Sequence, residues 1–137
     1  MKTEKSIGVI IFKKNKEIKY LLLKYERYWG FVKGNVETNE TEKQTVIREA
    51  TEETGIKDLN FIENFKEILD YIYKWNNNLI SKQVIMFLAE TKTENIRLSY
   101  EHQGYKWLTY EEALEHLKFE NLKKLLEKAD DLLKQQN

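Results

Sequence analysis

The chain has 137 residues, of which 41% are hydrophobic and 34% are charged. That length and composition suit a single domain over residues 1–137 with its own hydrophobic core, and they exclude a disordered chain. Lysine and arginine number 23, as do aspartate and glutamate, so the net charge of +0 argues against a protein that grips duplex nucleic acid. The 0 cysteines exclude disulfides and suit a cytoplasmic location. The apolar run at residues 7–12 is too short to span a membrane.

The chain opens with two predicted strands. Residues 5–14 are rich in β-branched side chains, and residues 18–25 read as the hairpin partner of this strand. The turn between them, at residues 14–17, contains Asn15, a residue type that adopts positive φ readily. Continuous apolar runs in both strands predict a sheet that is covered on both faces.

A helix is predicted from Glu42 to Thr54. Thr41 is a good N-cap, and Gln44 completes a capping box three residues later. Gly55 supplies the left-handed residue that ends such a helix. The expected buried stripe consists of Val46, Ile47 and Ala50.

The remainder of the chain predicts a mixture of strands and helices. In chain order we expect a long bent strand at 59–75, a hairpin turn at 76–78, a strand at 80–91, a loop at 94–100, a strand at 104–108, a helix after the cap Thr109 and a helix at 119–133. Glu112 completes a second capping box with Thr109. Since the strands are mostly joined by hairpins and alternate with helices, the predicted fold class is α/β, with a mixed β-sheet between helices.

Residues 34–56 carry three glutamates on the first predicted helix. At about 100° per residue, Glu49, Glu52 and Glu53 fall within roughly 100° of arc. Three like charges on one face are costly unless a cation lies between them, and carboxylate oxygens are the ligands that Mg²⁺ prefers. Arg48 lies four residues before Glu52 and would orient the carboxylates. The hypothesis is a metal site for phosphate chemistry, and its alternative is a solvated acidic face.

The spacing of these residues resembles the signature of the Nudix hydrolase family. Its fixed positions are filled here by Gly34, Glu40, Arg48, Glu49, Ala50, Glu52, Glu53, Gly55 and Ile56. The resemblance implies a Nudix-type α/β/α sandwich and a hydrolase that uses Mg²⁺ or Mn²⁺. It implies metal binding by Glu49, Glu52 and above all Glu53, with the Gly34 carbonyl as a lesser ligand. Glu49 and Glu52 share the assignment of general base, and Arg48 joins them in the catalytic centre.

Segments outside this signature resemble one branch of the family, the asymmetrical diadenosine tetraphosphate hydrolases. They are WGFVKGNVE at residues 29–37, Glu90, and residues 97–108 with their Ser-x-Glu-His-Gln stretch. The resemblance covers about residues 7–126 and implies attack of water on phosphorus, which splits the tetraphosphate bridge into ATP and AMP. It further implies that Glu101 approaches the metals from an opposite loop and that Lys33 and Lys82 contact phosphate.

Aromatic side chains are the candidates for holding the nucleobase, because stacking contributes about 1–3 kcal/mol per base. The resemblance points to Trp29, Tyr71, Tyr73 and Phe119. For each of them the alternative is ordinary packing in the core or the hairpin. We interpret His102, one of 2 histidines, as structural.

Two departures from the family pattern affect the loop around Gly34. Relatives usually have proline at the position of Val32 and Pro-Gly where Thr38 and Asn39 stand. Asn39 tolerates left-handed φ, so the loop can still turn, and the departures bear on substrate choice.

Other functions compatible with this signature differ in substrate or in class. RNA 5′ ends and nucleoside triphosphates are alternative substrates for the same fold. A nucleotide-binding sensor without catalysis is a different class, but a sensor is expected to lose metal-ligand glutamates that this chain retains. A structural protein that uses the acidic helix as a partner surface is a third class. The expected partner is a nucleotide with a polyphosphate chain, without duplex nucleic acid or membrane, and we expect a monomer.

Overall fold

A mixed β-sheet forms the middle layer of the structure, a computed structural model that describes residues 1–135. The predicted domain extends to residue 137, so its last two residues lie outside the described part. The strands are β1 Lys2–Lys14, β2 Ile18–Lys24, β3 Trp29–Gly30, β4 Val32–Gly34, β5 Asn60–Phe61, β6 Glu67–Trp75, β7 Asn78–Glu90 and β8 Gly104–Leu108. The helices are α1 Glu42–Thr54, α2 Tyr110–His116 and α3 Glu120–Gln135. Within residues 1–135 no helix is long and apolar enough to cross a membrane.

Strand β1 lies at the centre of this sheet. It runs antiparallel to β2 and β4 and parallel to β7. The β1–β7 pairing extends from Lys2↔Ile80 to Phe12↔Glu90. β1 therefore begins three residues before the predicted strand, because its first residues pair with the start of β7. The prediction that hairpins dominate the sheet missed this long parallel pairing.

Each face of the sheet carries its own hydrophobic core. Because alternate residues of a strand point to opposite faces, Ile10 joins the core formed with α2 and α3, which includes Leu126. Val9 joins the opposite core, to which α1 contributes Ala50. The structure is thus the predicted α/β/α sandwich with a mixed sheet between helices.

Helix α1 begins and ends where the sequence predicts. The Thr41 hydroxyl accepts from the backbone N–H of Gln44, and the Gln44 side chain accepts from the backbone N–H of Thr41. Gly55 ends the helix with a φ of 79°. These two local signals therefore fix the length of the helix that carries the acidic cluster.

The buried stripe of α1 differs from the prediction at one position. Val46 and Ala50 are buried, but Ile47 is 41% exposed. Glu53 and Thr54 are buried in its place. Positions 46, 50, 53 and 54 share one face at three- and four-residue spacing, whereas Ile47 lies about 100° from Val46. The inward face of α1 therefore includes one of the three glutamates.

The long bent strand predicted at residues 59–75 is wrong. Two strands, β5 and β6, pair with β7 on either side of a break. Phe61 pairs with Ala89 and Glu67 pairs with Met86, so residues 62–66 face only residues 87–88 of β7. The extra residues turn outward through Asn64, whose φ of 68° is incompatible with a pleated strand.

Apart from Gly55, asparagines supply the left-handed backbone positions within residues 1–135. Asn76 and Asn77 have φ of 49° and 64°, so the predicted hairpin turn is confirmed and is two residues long. Asn39, which together with Thr38 stands where relatives have Pro-Gly, has a φ of 69° and so provides the turn of the loop. Asn15 does not adopt a left-handed conformation. Its amide instead donates to the Glu94 carboxylate at 3.0 Å.

A buried hydrogen bond ties the C-terminal helix to the sheet. The Tyr20 hydroxyl of β2 donates to Oδ1 of Asp130 on α3 at 2.6 Å. Both residues are buried, and burial together with the neighbouring Asp130 raises the pKa of Tyr20. This contact fixes the helix whose first turn borders the cavity described below.

We expect Tyr20→Phe to lower the free energy of unfolding by about 1–3 kcal/mol, because Asp130 is left buried without its donor. Urea denaturation followed by circular dichroism measures the change. Tyr105→Phe is the matched control, since that side chain is 40% exposed. Equal stability of the two variants would contradict the assigned role.

Candidate active site

The three predicted glutamates meet at the C-terminal half of α1, but in different surroundings. Glu53 is 4% exposed, whereas the side chains of Glu49 and Glu52 are 15% and 59% exposed. The helix therefore presents a graded acidic surface that runs from the interior to solvent. The sequence-based picture of three glutamates at the edge of the helix is wrong for Glu53, because its position faces inward.

Glu53 is a buried carboxyl with one satisfied oxygen. Its Oε1 lies 2.7 Å from Nε2 of His102, and its Oε2 has no hydrogen-bond partner within residues 1–135. Burial, followed by the nearby Glu49, Glu101 and Glu52, raises the pKa of Glu53 to about 9. Burial also lowers the pKa of His102. Both shifts favour the neutral forms of the two groups, and Oε1 of Glu53 and Nε2 of His102 share a single hydrogen bond.

A loop opposite α1 brings His102 and Glu101 to this cluster. The backbone N–H of Arg97 donates to the Thr54 carbonyl at 2.9 Å, and that of Ser99 donates to the Glu53 carbonyl at 3.1 Å. These bonds dock the loop at the end of the helix. His102 is structural as predicted, in that it is buried and orients Glu53.

Arg48 organises the solvent side of the cluster. Its Nε donates to Glu40 at 2.6 Å, and its Nη1 donates to Glu49 at 2.7 Å and to Glu52 at 3.4 Å. Its Nη2 donates to the Asn35 carbonyl at 2.8 Å. The guanidinium thus joins the loop before α1 to the carboxylates on it, which is the orienting geometry that the spacing predicts.

Gly34 lies against the acidic cluster at the end of β4. A Cβ atom at this position would overlap the Glu49 carboxyl group. Only glycine therefore lets the backbone approach that carboxyl so closely. The contact places the Gly34 backbone beside Glu49, as a carbonyl ligand to the same cation would require.

The carboxylates of the cluster have different partners. Within residues 1–135 no three His, Asp or Glu side chains converge on a point that could hold a metal ion. Glu49 is engaged by Arg48, Glu53 by His102, and Glu52 extends toward solvent.

A cavity of about 490 Å³ opens beside the acidic cluster. Its lining residues are Tyr25, Tyr28, Gly30, Phe31, Lys33, Leu69, Tyr71, Tyr73, Lys82, Val84, Met86, Phe119, Asn121 and Leu122. The Tyr28 ring stacks on Tyr25 at 4.8 Å between centroids and meets Phe119 edge-on at 5.5 Å. A volume in this range with aromatic walls suits a small planar ligand.

Most of the predicted substrate-binding residues line this cavity, but Trp29 does not. Tyr71, Tyr73 and Phe119 are lining residues. The Trp29 ring packs edge-on against His116 at 5.5 Å and contacts the core on the α2 and α3 side. For Trp29 the geometry thus matches the alternative reading of core packing.

Two lysines line the side of the cavity toward the cluster. Burial lowers the pKa of Lys33 and of Lys82, and the Lys33 charge lowers the pKa of Lys82 further. The Glu53 carboxyl acts in the opposite direction on Lys33. Among the described residues neither lysine forms an ion pair, so this part of the wall is matched to an anion.

Sequence reasoning missed several residues of the cavity. Tyr25 and Tyr28 precede the glutamate-bearing segment at residues 34–56, and their three-residue spacing was the sequence feature that could have indicated a shared aromatic wall. Glu4 accepts from the Tyr73 hydroxyl at 2.5 Å because β1 and β7 are parallel, a contact with no local signal. Asn121 follows Phe119 by two residues and was assigned only to a helix.

Comparison with known proteins gives consistent results. The family model described as NUDIX domain matches residues 2–129. The chain is 37% identical to the bis(5′-nucleosyl)-tetraphosphatase [asymmetrical] of Mus musculus, over 94% of this chain and 95% of that protein. It is 33% identical to the protein of the same name from Caenorhabditis elegans, over 94% and 96%. The solved structure of a C. elegans Ap4A hydrolase binary complex is similar with a TM-score of 0.83 and 31% identity, covering 95% of this chain and 97% of that one.

We expect Glu40→Gln to destabilise the fold in a pH-dependent manner. The hydrogen bond from Arg48 is the main reason that the pKa of Glu40 falls from 4.5 to about 2. A lowered pKa in the folded state stabilises the fold fully above about pH 4.5, and this contribution is lost progressively as the pH falls toward about 2. Urea midpoints from pH 7 to pH 3 measure the difference from the unsubstituted chain, which should narrow below pH 4.5.

Glu63→Gln serves as the control for this measurement, because it removes the same charge from an exposed side chain. A Glu40→Gln difference that stays constant across the pH range would contradict the role of the ionised carboxylate.

Proposed function

The chain belongs to the Nudix family, and from this premise we propose that it hydrolyses the phosphoanhydride chain of dinucleoside tetraphosphates. With diadenosine tetraphosphate, attack of one water on phosphorus gives ATP and AMP. The names of the relatives from mouse and worm support this substrate, since the similarity covers 94% of the chain in both cases.

The observation that carries the proposal is the continuity of three environments. Lys82 and Lys33 line the aromatic cavity, and Lys33 in turn lies close enough to Glu53 for the ionised carboxylate to raise the lysine pKa. An aromatic base, a run of phosphates and a cation-assisted cleavage point follow the same order in a dinucleoside polyphosphate. Lys33 and Lys82 are half-buried and form no ion pair within residues 1–135, which supports phosphate binding because desolvated cations require an anion nearby.

Nudix hydrolases generally use divalent metal ions, and we assign Mg²⁺ or Mn²⁺ to the acidic cluster. The proposed ligands are Glu49, Glu52, Glu53, Glu101 and the Gly34 carbonyl. They offer only oxygen atoms, which suits a hard cation. The unpartnered Oε2 of Glu53 and its raised pKa support the fit, since a nearby cation would remove the cost of ionising this crowded carboxyl. When bound, such an ion neutralises phosphate charge and lowers the pKa of the attacking water.

The protein side chains have separate proposed roles. Glu49 or Glu52 accepts the proton of the attacking water, and Arg48 orients both carboxylates. Lys33 and Lys82 hold the phosphates. The rings of Tyr71, Tyr73 and Phe119 flank one base. The cytoplasmic location and the monomeric state stay predictions of the sequence.

We expect Glu53→Gln to lower kcat by about 100-fold or more, because a metal ligand contributes several kcal/mol to the transition state. The variant should fold at least as stably as the unsubstituted chain. A carboxyl whose pKa rises from 4.5 to about 9 on folding destabilises the fold above pH 4.5, and glutamine removes that cost while it can still donate to His102. Steady-state kinetics and thermal unfolding at pH 7.5 measure the two effects.

Glu63→Gln again controls for loss of a carboxylate elsewhere on the surface. An unchanged kcat of Glu53→Gln at saturating Mg²⁺ would remove Glu53 from the ligand set. Unfolding of the variant at a lower temperature would contradict the assigned protonation state.

A substrate panel tests the proposal as a whole. Diadenosine tetraphosphate, a 5′-triphosphorylated RNA and ATP are compared at one Mg²⁺ concentration, with chelator as the blank. We expect the highest kcat/KM for diadenosine tetraphosphate, with ATP and AMP as products. Cleavage of the RNA or of ATP alone would favour the alternative substrates, and binding without turnover of any of the three would favour a nucleotide sensor.

A further inference from the structure

Most hydrogen-bonding groups on the cavity wall already have partners. The Tyr25 hydroxyl donates to the Phe31 carbonyl at 2.5 Å, and the Tyr28 hydroxyl accepts from Lys33 at 3.3 Å. The Tyr73 hydroxyl donates to Glu4. Among the cavity-lining side chains with an N–H or O–H group, those that form no such bond within residues 1–135 are Tyr71, Lys82 and Asn121.

Asn121 stands at a fixed place on this wall. It is the second residue of α3, half-buried, and it lines the cavity two residues after the Phe119 ring. The helix is held to the sheet by the Tyr20–Asp130 hydrogen bond. Within residues 1–135 the carboxamide has no hydrogen-bond partner, so both its donor and its acceptor can pair with a ligand in the cavity.

We propose that Asn121 reads the nucleobase in this cavity, an inference that rests on the proposed function. Its carboxamide carries a donor and an acceptor side by side, which matches the amino group and adjacent ring nitrogen of adenine. The aromatic walls bind the faces of the base without regard to its identity. The same carboxamide also complements the N1–H and O6 edge of guanine, so Asn121 is the group that pairs with the base edge, and its replacement changes which base is preferred.

The other groups on the wall are less suited to this role. The Tyr71 hydroxyl is a single atom and cannot pair with two neighbouring positions of a base edge at once. Lys33 and Lys82 are donors only, and their charges are matched to phosphate. Asn121 is therefore the group on this wall that complements a base edge with one donor and one acceptor.

The proposal predicts a change of specificity for Asn121→Asp. An aspartate offers two acceptors, and the ring nitrogen of adenine is an acceptor as well, so the pair would repel. Guanine presents two adjacent donors, N1–H and the 2-amino group, which a carboxylate accepts. The substitution should therefore shift preference from adenine toward guanine, whereas a general loss of affinity would affect both bases equally.

The test compares kcat/KM for diadenosine and diguanosine tetraphosphate in the unsubstituted chain, in Asn121→Asp and in Asn60→Asp. Asn60 is exposed on β5 and pairs with Glu90, at the end of β7 remote from the cavity-lining Lys82, so it introduces the same charge elsewhere. We expect the adenine-to-guanine ratio to fall by about 10-fold or more in Asn121→Asp, in line with the loss of a paired hydrogen-bonding edge. We expect no change of the ratio in Asn60→Asp.

An unchanged adenine-to-guanine ratio in a folded Asn121→Asp would overturn the inference. The proposed function would still stand in that case if the unsubstituted chain hydrolyses diadenosine tetraphosphate. If the unsubstituted chain hydrolyses neither dinucleotide, the proposed function fails, and calorimetry with AMP and GMP then decides base reading alone by the same ratio. If Asn121→Asp does not fold, Asn121→Leu replaces it. That variant should raise KM for diadenosine tetraphosphate about 10-fold with little change in kcat, and an unchanged KM would overturn the inference.

Discussion

Crowding of negative charge at a buried position is the constraint on which the site depends. Glu53 lies inside the fold with Glu49, Glu52 and Glu101 nearby, and such a carboxyl stays uncharged unless a positive charge joins it. The protein limits this cost with two devices. His102 takes one oxygen of the buried carboxyl, and Arg48 neutralises the outer carboxylates. The fold thereby accommodates several carboxyl groups in a small volume.

The sheet brings the acidic cluster and the cavity together. β1 pairs with β4, which ends at Gly34 beside Glu49, and on its other side with β7, which contributes Lys82 to the cavity. The loop that carries His102 closes the cluster from the far side of the helix. The distance between the aromatic cavity and the acidic cluster is consequently set by the spacing of paired strands.

Local signals in the sequence were sufficient for much of the fold. The caps Thr41 and Gly55 act on their own helix, so the bounds of α1 could be derived without knowledge of the rest. The break at Asn64 could not, because it depends on the register of two strands against β7. The site divides in the same way. The glutamates follow helical periodicity. Tyr28 and Asn121, by contrast, line one cavity only because α3, which lies far from the first strands in the sequence, packs against the sheet.

The parallel pairing of β1 with β7 also constrains how the chain acquires its structure during synthesis. Residue 2 finds its partner at residue 80, and residue 12 finds its partner at residue 90. The edge of β1 that pairs with β7 therefore stays open until almost two thirds of the chain has been synthesised, whereas β2 and β4 emerge earlier and can pair with its other edge. The β6–β7 hairpin, whose contacts are local, can form first and then capture β1. Folding of the nascent chain therefore depends on the late pairing of β1 with β7, and the open edge of β1 is the segment most in need of protection by a chaperone until then.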